Sequence, residues 1–140
     1  TYNAAPASMH LALDTLKALP AKRKVVVVGD MLELGRYSVD AHRAVGDKAG
    51  AIADVLVCIG ARARFIADSA ANQMSQKDIL RFDTSEQARA AVQNLIQPGD
   101  CVLIKGSQGM RMEKIVEEIM AEPEHKQELL VRQSKKWQNA

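Results

Sequence analysis

Four short apolar runs divide the chain and predict its strands. They cover residues 24–28, 55–59, 79–82 and 101–104. Three of the runs are continuous and rich in β-branched residues, which is typical of strands buried on both faces of a parallel sheet. The run at 79–82 alternates more between apolar and polar residues, which predicts a strand nearer the sheet edge.

Apolar residues at helical spacing lie before, between and after these runs and predict five helices. The helical patterns cover residues 9–19, 41–52, 61–72, 88–96 and 112–120. Thr84 and Gln87 have the spacing of a capping box for the fourth helix. Because helices and strands alternate, we expect right-handed βαβ units in an α/β fold, a Rossmann-like three-layer domain with a mostly parallel sheet.

The predicted domain covers residues 1–121, and residues 122–140 form a polar C-terminal tail. A last helix that docks through Leu129, Leu130 and Trp137 is one interpretation of this tail. The chain starts at Thr1 without a signal peptide, and we expect it to be a piece of a longer protein.

Composition and charge exclude several classes of protein. The 140 residues are 47% hydrophobic and 26% charged, with a net charge of +2, which excludes overall disorder. This small net charge argues against a nucleic-acid binder, and no apolar run approaches the ~20 residues that span a bilayer. Cys58 and Cys101 lie within apolar runs, so we expect buried thiols in a reducing cytoplasm rather than a disulfide.

Candidate chemistry lies in the turns after the predicted strands, where open α/β sheets bind ligands. Residues 105–111, KGSQGMR, combine two glycines with Lys105 and Arg111 at the start of a predicted helix. Free backbone N–H groups, a helix N-terminus and two cations suit a phosphate or a carboxylate. A plain strand-to-helix turn is the alternative interpretation.

Carboxylates follow the first predicted strand. Asp30 and Glu33 could orient an ammonium group or hold Mg²⁺; in the alternative, Asp30 caps the next segment and Glu33 is solvated. His42 could face the same crevice, although a packing role is favoured. Tyr2 and Asn3 could line a nucleotide pocket or only lead into the first helix. No residue spacing resembles a zinc site.

Three segments together resemble the C-terminal domain of the cytoplasmic Mur ligases, and among these the MurF type, which adds D-Ala-D-Ala. They are TYNAAPASM at 1–9, VVVVGDMLELG at 25–35 and VLIKGSQGMRMEKIV at 102–116, and the resemblance extends to about residue 121. It implies an ATP-dependent ligase of three domains that activates UDP-MurNAc-tripeptide as an acyl phosphate for attack by D-Ala-D-Ala.

The same resemblance implies cofactors and partners. ATP and Mg²⁺ would be bound mainly by a central domain outside this chain. The partners would be the protein's own N-terminal and central domains, D-Ala-D-Ala and UDP-MurNAc-tripeptide. No nucleic acid and no membrane insertion are expected, and the protein is expected to be a monomer.

The resemblance also implies site residues, with Tyr2 and Asn3 beside the ATP. The residues facing the D-Ala-D-Ala side of the crevice would be Asp30, Glu33, Lys105, Ser107 and Arg111. No catalytic residue and no metal ligand is expected within this domain, so we predict that it does not catalyse ligation alone.

The chain departs from the family pattern at two positions. The family usually reads YNANP where this chain has Ala5, and it often has Arg where this chain has Gln108. The competing hypothesis is a free-standing, non-catalytic Rossmann-like module that binds a nucleotide or small anion and regulates a partner.

Overall fold

The structure, a computed structural model, describes residues 6–32, 34–106 and 128–131, the last of these through the backbone. Its helices and strands are α1 (Pro6–Ala18), β1 (Arg23–Gly29), α2 (Ser38–Ile52), β2 (Val55–Ile59), α3 (Arg64–Ala70), β3 (Ile79–Phe82), α4 (Ser85–Leu95), β4 (Asp100–Lys105) and β5 (Glu128–Val131). Short 3-10 helices at Gly35–Tyr37 and Gln76–Asp78 precede α2 and β3. The four predicted strands and the first four predicted helices are confirmed, while the helix predicted at 112–120 lies outside the described residues.

The five strands form one parallel sheet in the order β3-β2-β1-β4-β5. From β1 the chain moves outward to β2 and β3, then crosses back to place β4 on the other side of β1. The strand order therefore reverses between β1 and β4, which is the switch point where open α/β sheets bind ligands. The predicted Rossmann-like fold is confirmed, and β3 lies at the sheet edge as its sequence predicted.

The fifth strand corrects the helical interpretation of the tail. Leu129 and Leu130 belong to β5, which pairs in parallel with β4, with Leu129 opposite Val102. The buried strand β4 would otherwise present an open edge of backbone N–H and C=O groups that need partners. The sheet thus continues to Val131, beyond the predicted domain boundary at 121, and Trp137 lies outside the described residues.

The valines of β1 alternate between two cores. Val26 and Val28 pack in the core that contains residues of α1, α2 and α3, whereas Val25 and Val27 pack in the core that contains residues of α4. Helices cover both faces, which explains why the strands are continuous apolar runs. Cys58 and Cys101 are buried and remain thiols, as predicted.

Local sequence signals explain the ends and the packing of the helices. In the predicted capping box, the Gln87 N–H donates to Thr84 Oγ1 at 3.2 Å, and the Gln87 side chain accepts from the Thr84 N–H at 3.3 Å. Helices α2 and α3 approach closely because Gly46 lies against the carbonyl of Ile66, where a Cβ would overlap it. Across the part of the chain that is described, no helix combines the length and apolar character needed to span a bilayer.

Candidate functional site

The carboxyl edge of the sheet brings together the ends of β1, β2 and β4. Val28 lies opposite Lys105 and Gly29 lies opposite Ile59, so Asp30, Gly60 and Lys105 all leave the sheet at this edge. The structure thus brings two predicted site residues, Asp30 and Lys105, to the switch point between β1 and β4. The other predicted site residues, Tyr2, Asn3, Glu33, Ser107 and Arg111, lie outside the described residues.

Asp30 uses its carboxylate to hold the neighbouring turn. The residue is 4% exposed, and its Oδ1 accepts hydrogen bonds from the Arg62 N–H at 2.9 Å and the Ala63 N–H at 2.7 Å. Its Oδ2 lies 3.5 Å from the Arg62 guanidinium. The carboxylate therefore caps the turn that leads into α3, rather than the segment that follows Asp30 in the chain. A role toward an ammonium group stays a prediction, and it would fall to Oδ2.

Gly60 makes this contact possible. Its φ of +113° is one that residues with a Cβ rarely adopt, and a Cβ at this position would lie 2.5 Å from Asp30 Oδ1. The Gly60 N–H also donates to the Phe82 carbonyl at 2.9 Å, which ties the end of β2 to the end of β3. The glycine after the second predicted strand thus provides close approach for a buried carboxylate.

Lys105 brings a positive charge into the buried end of β4. Every residue of this strand is buried, and Lys105 is 7% exposed. A charge in low-dielectric surroundings acts more strongly on an oxyanion than a surface charge does. Its position at the switch point is suited to a carboxylate or phosphate group.

His42 is the residue whose role the sequence analysis underestimated. It lies on α2 and is fully buried. Its Nε2 is 2.9 Å from the Met31 backbone nitrogen, and its Nδ1 is 2.6 Å from the Ser38 carbonyl oxygen. The favoured packing role is therefore incomplete, because the ring is bonded to the loop that carries the Asp30–Glu33 motif. Its spacing of three and seven residues from the core positions Val45 and Ala49 was the available signal that it faces inward.

A cavity of about 350 Å³ opens at the ends of β2 and β3. Its lining includes Arg64, Arg81, Phe82 and Gln87. The Arg81 guanidinium is already paired with Asp68 at 2.8 Å. Of the predicted site residues that the structure describes, neither Asp30 nor Lys105 lines this cavity. Within residues 6–32, 34–106 and 128–131, no group of three or more His, Cys, Asp or Glu side chains is arranged to hold a metal ion.

Comparison with known proteins relates this chain to peptidoglycan-precursor ligases. Residues 1–108 match the family model of the Mur ligase, glutamate ligase domain. The UDP-N-acetylmuramoyl-tripeptide–D-alanyl-D-alanine ligase of Rickettsia prowazekii (strain Madrid E) is 37% identical over 119 residues, which are 83% of this chain and 25% of that protein. The enzyme of the same name from Bacillus subtilis (strain 168) is 31% identical over 128 residues, which are 87% of this chain and 27% of that protein.

Solved structures give the same picture. The MurF ligase of Thermotoga maritima in complex with ADP superimposes with a TM-score of 0.70 at 28% identity, covering 89% of this chain and 27% of that one. MurF from Acinetobacter baumannii superimposes with a TM-score of 0.74 at 32% identity, covering 86% of this chain and 27% of that one. The chain therefore spans about a quarter of the length of the curated relatives it matches.

Proposed function

Because this chain belongs to the family of Mur ligase glutamate ligase domains, we propose that it is the C-terminal domain of a UDP-N-acetylmuramoyl-tripeptide–D-alanyl-D-alanine ligase. In the proposed reaction, ATP converts the tripeptide carboxylate into an acyl phosphate. The amine of D-Ala-D-Ala then attacks the acyl carbon, the amide bond forms and phosphate leaves. The observation that carries the proposal is the family match over residues 1–108, which includes the motif around Asp30 and reaches Lys105.

The charges at the switch point support an acceptor-binding role for this domain. We assign the buried ammonium of Lys105 to the terminal carboxylate of D-Ala-D-Ala, since a charge-assisted hydrogen bond there would be strong. We assign Oδ2 of Asp30 to the dipeptide ammonium, because Oδ1 already accepts two backbone hydrogen bonds, whereas the contact of Oδ2 with the exposed Arg62 guanidinium is long, at 3.5 Å. Opposite charges at the two ends would orient the dipeptide amine toward the acyl phosphate. Glu33, Ser107 and Arg111 complete this proposed set.

ATP and Mg²⁺ enter the proposal through the rest of the protein. The described residues contain no acidic cluster suited to Mg²⁺, and the described carboxylate at the switch point, that of Asp30, already has partners in the β2–α3 turn. We propose, as the family resemblance implies, that the central domain binds both, with Tyr2 and Asn3 beside the nucleotide, and no step is assigned to metal ligands of this domain. Because ATP and the UDP-linked substrate are cytoplasmic metabolites, we propose that the enzyme acts in the cytoplasm. We also propose that it acts as a monomer.

The test is an assay of the full-length protein that contains this chain. Supplied with ATP, UDP-MurNAc-tripeptide and D-Ala-D-Ala, it should form UDP-MurNAc-pentapeptide and release phosphate, and omission of the dipeptide should abolish the product. The 140-residue chain assayed alone should form none. A full-length protein that makes no pentapeptide would contradict the proposal, and ATP turnover by the 140-residue chain alone would contradict the division of roles between the domains.

A further inference from the structure

We propose that His42 is a positioning residue for the dipeptide site, acting through the loop that connects β1 to α2 and that leads from Met31 to Tyr37. The inference rests on the proposed function, since it assigns the loop to D-Ala-D-Ala binding. It starts from one observation: the imidazole ring of His42 on α2 is bonded to Met31 at the start of this loop and to Ser38, the first residue of α2, where the loop ends.

The two contacts determine the tautomer of the ring. The Met31 N–H is a donor, so Nε2 of His42 must accept at 2.9 Å. The Ser38 carbonyl is an acceptor, so Nδ1 must carry the proton and donate at 2.6 Å. A neutral imidazole offers one donor and one acceptor on a rigid ring, which satisfies both loop ends at once. Nδ1 also lies 3.3 Å from the Ser38 hydroxyl.

The neighbours of Met31 explain why this bond sets the position of the loop. The Met31 side chain is fully buried in the core. Asp30, the preceding residue, is fixed to the β2–α3 turn through its carboxylate. The chain therefore leaves β1 from a fixed point, and the hydrogen bond between Met31 and His42 ties this point to α2, the helix that follows the loop.

This arrangement matters for the reaction because attack by an amine on an acyl phosphate depends on placement. A displacement of about 1 Å in a positioning group can reduce the rate by about a hundredfold. If the loop binds the dipeptide, loss of the His42 contacts will weaken D-Ala-D-Ala binding and leave binding of ATP and tripeptide unchanged. A residue that only stabilises the fold would affect all three substrates together.

The experiment compares His42→Ala and His42→Gln in the full-length ligase, with His10→Gln as the matched control on α1. Glutamine can present a side-chain oxygen to the Met31 N–H, whereas alanine cannot. We expect His42→Ala to raise the KM for D-Ala-D-Ala about tenfold, the value of one hydrogen bond, with unchanged KM for ATP and tripeptide. His42→Gln should recover most of the loss, and His10→Gln should behave as wild type.

Hydrogen exchange of the Met31 amide gives a second readout that does not depend on activity. The amide should exchange slowly in the wild type and in His42→Gln, and faster in His42→Ala. Equal KM changes for all three substrates in His42→Ala, or no rescue by glutamine, would overturn the inference in favour of a purely structural role. A wild-type protein without ligase activity would refute the proposed function and the dipeptide assignment together, and unchanged exchange at Met31 would refute the loop-holding role itself.

Discussion

Replacing Asp30 with alanine removes the acceptor for two backbone N–H groups in the turn before α3. The Ala63 N–H is buried, so loss of its acceptor at 2.7 Å leaves it without a hydrogen bond. We expect this to lower the free energy of unfolding by about 1–3 kcal/mol. The Arg62 N–H belongs to an exposed residue and can form a hydrogen bond with water instead, so loss of its carboxylate acceptor lowers stability less. The Arg62 guanidinium contact contributes little, because that side chain is 52% exposed. Together we expect a loss of about 2–4 kcal/mol, a large part of the ~5–15 kcal/mol typical of a domain.

Asparagine is the matched variant, since Asp30→Asn keeps an oxygen at the Oδ1 position while removing the charge. It should retain both backbone hydrogen bonds in weaker form and lose about 1 kcal/mol. Urea unfolding of the 140-residue chain, followed by far-UV circular dichroism, measures both variants. Equal losses for alanine and asparagine, or a loss below ~0.5 kcal/mol for alanine, would refute the capping argument. In the full-length ligase, Asp30→Asn should lower kcat/KM for D-Ala-D-Ala by more than its stability loss explains, and unchanged kinetics would exclude Asp30 from ammonium binding.

Four further predictions follow from the same contacts. Lys105→Ala in the full-length ligase should raise the KM for D-Ala-D-Ala or lower kcat by about tenfold or more, the value of a hydrogen bond to a charged group; unchanged steady-state kinetics would exclude this lysine from the site. Thr84→Ala should cost about 1 kcal/mol in urea unfolding through loss of the capping box, whereas Thr84→Ser should retain most of it. Gly46→Ala should destabilise by about 1–3 kcal/mol, because its Cβ meets the Ile66 carbonyl; wild-type stability would show that the two helices can separate. Burial raises the pKa of Cys58 to about 12, so a thiol reagent at pH 8 should modify Cys58 only after unfolding. The thiol of the unfolded chain ionises near pH 9.0. The contribution of the buried, neutral thiol to stability should therefore be lost as the pH rises from 9.0 toward 12.

The apolar runs were sufficient to predict the strands up to β4. The predicted strand at 24–28 became Arg23–Gly29, and the run at 55–59 is β2 itself. These strands can be predicted from the local sequence, since helices cover both faces of the sheet and the positions that face the two cores are apolar. The strand at Glu128–Val131 was missed because it has only four residues in polar surroundings. This strand is stabilised by backbone pairing with the edge of β4, and such pairing between distant segments cannot be predicted from the local sequence.

The candidate site shows a different limit on prediction. Topology explains why Asp30 and Lys105 both lie at the switch point, since β1 and β4 are neighbouring parallel strands; the sequence placed both residues at the ends of predicted strands but did not predict this order. The partners of Asp30 were not predicted either, because Arg62 and Ala63 come within reach only through the parallel register of β1 and β2. The role of His42 depends on which backbone groups the loop leaves unpaired. Asp30 and His42 each hold a turn in place through hydrogen bonds with backbone groups, and the neighbouring strands β1 and β4 place Asp30 and Lys105 at one edge of the sheet, where both would be in fixed positions relative to a ligand.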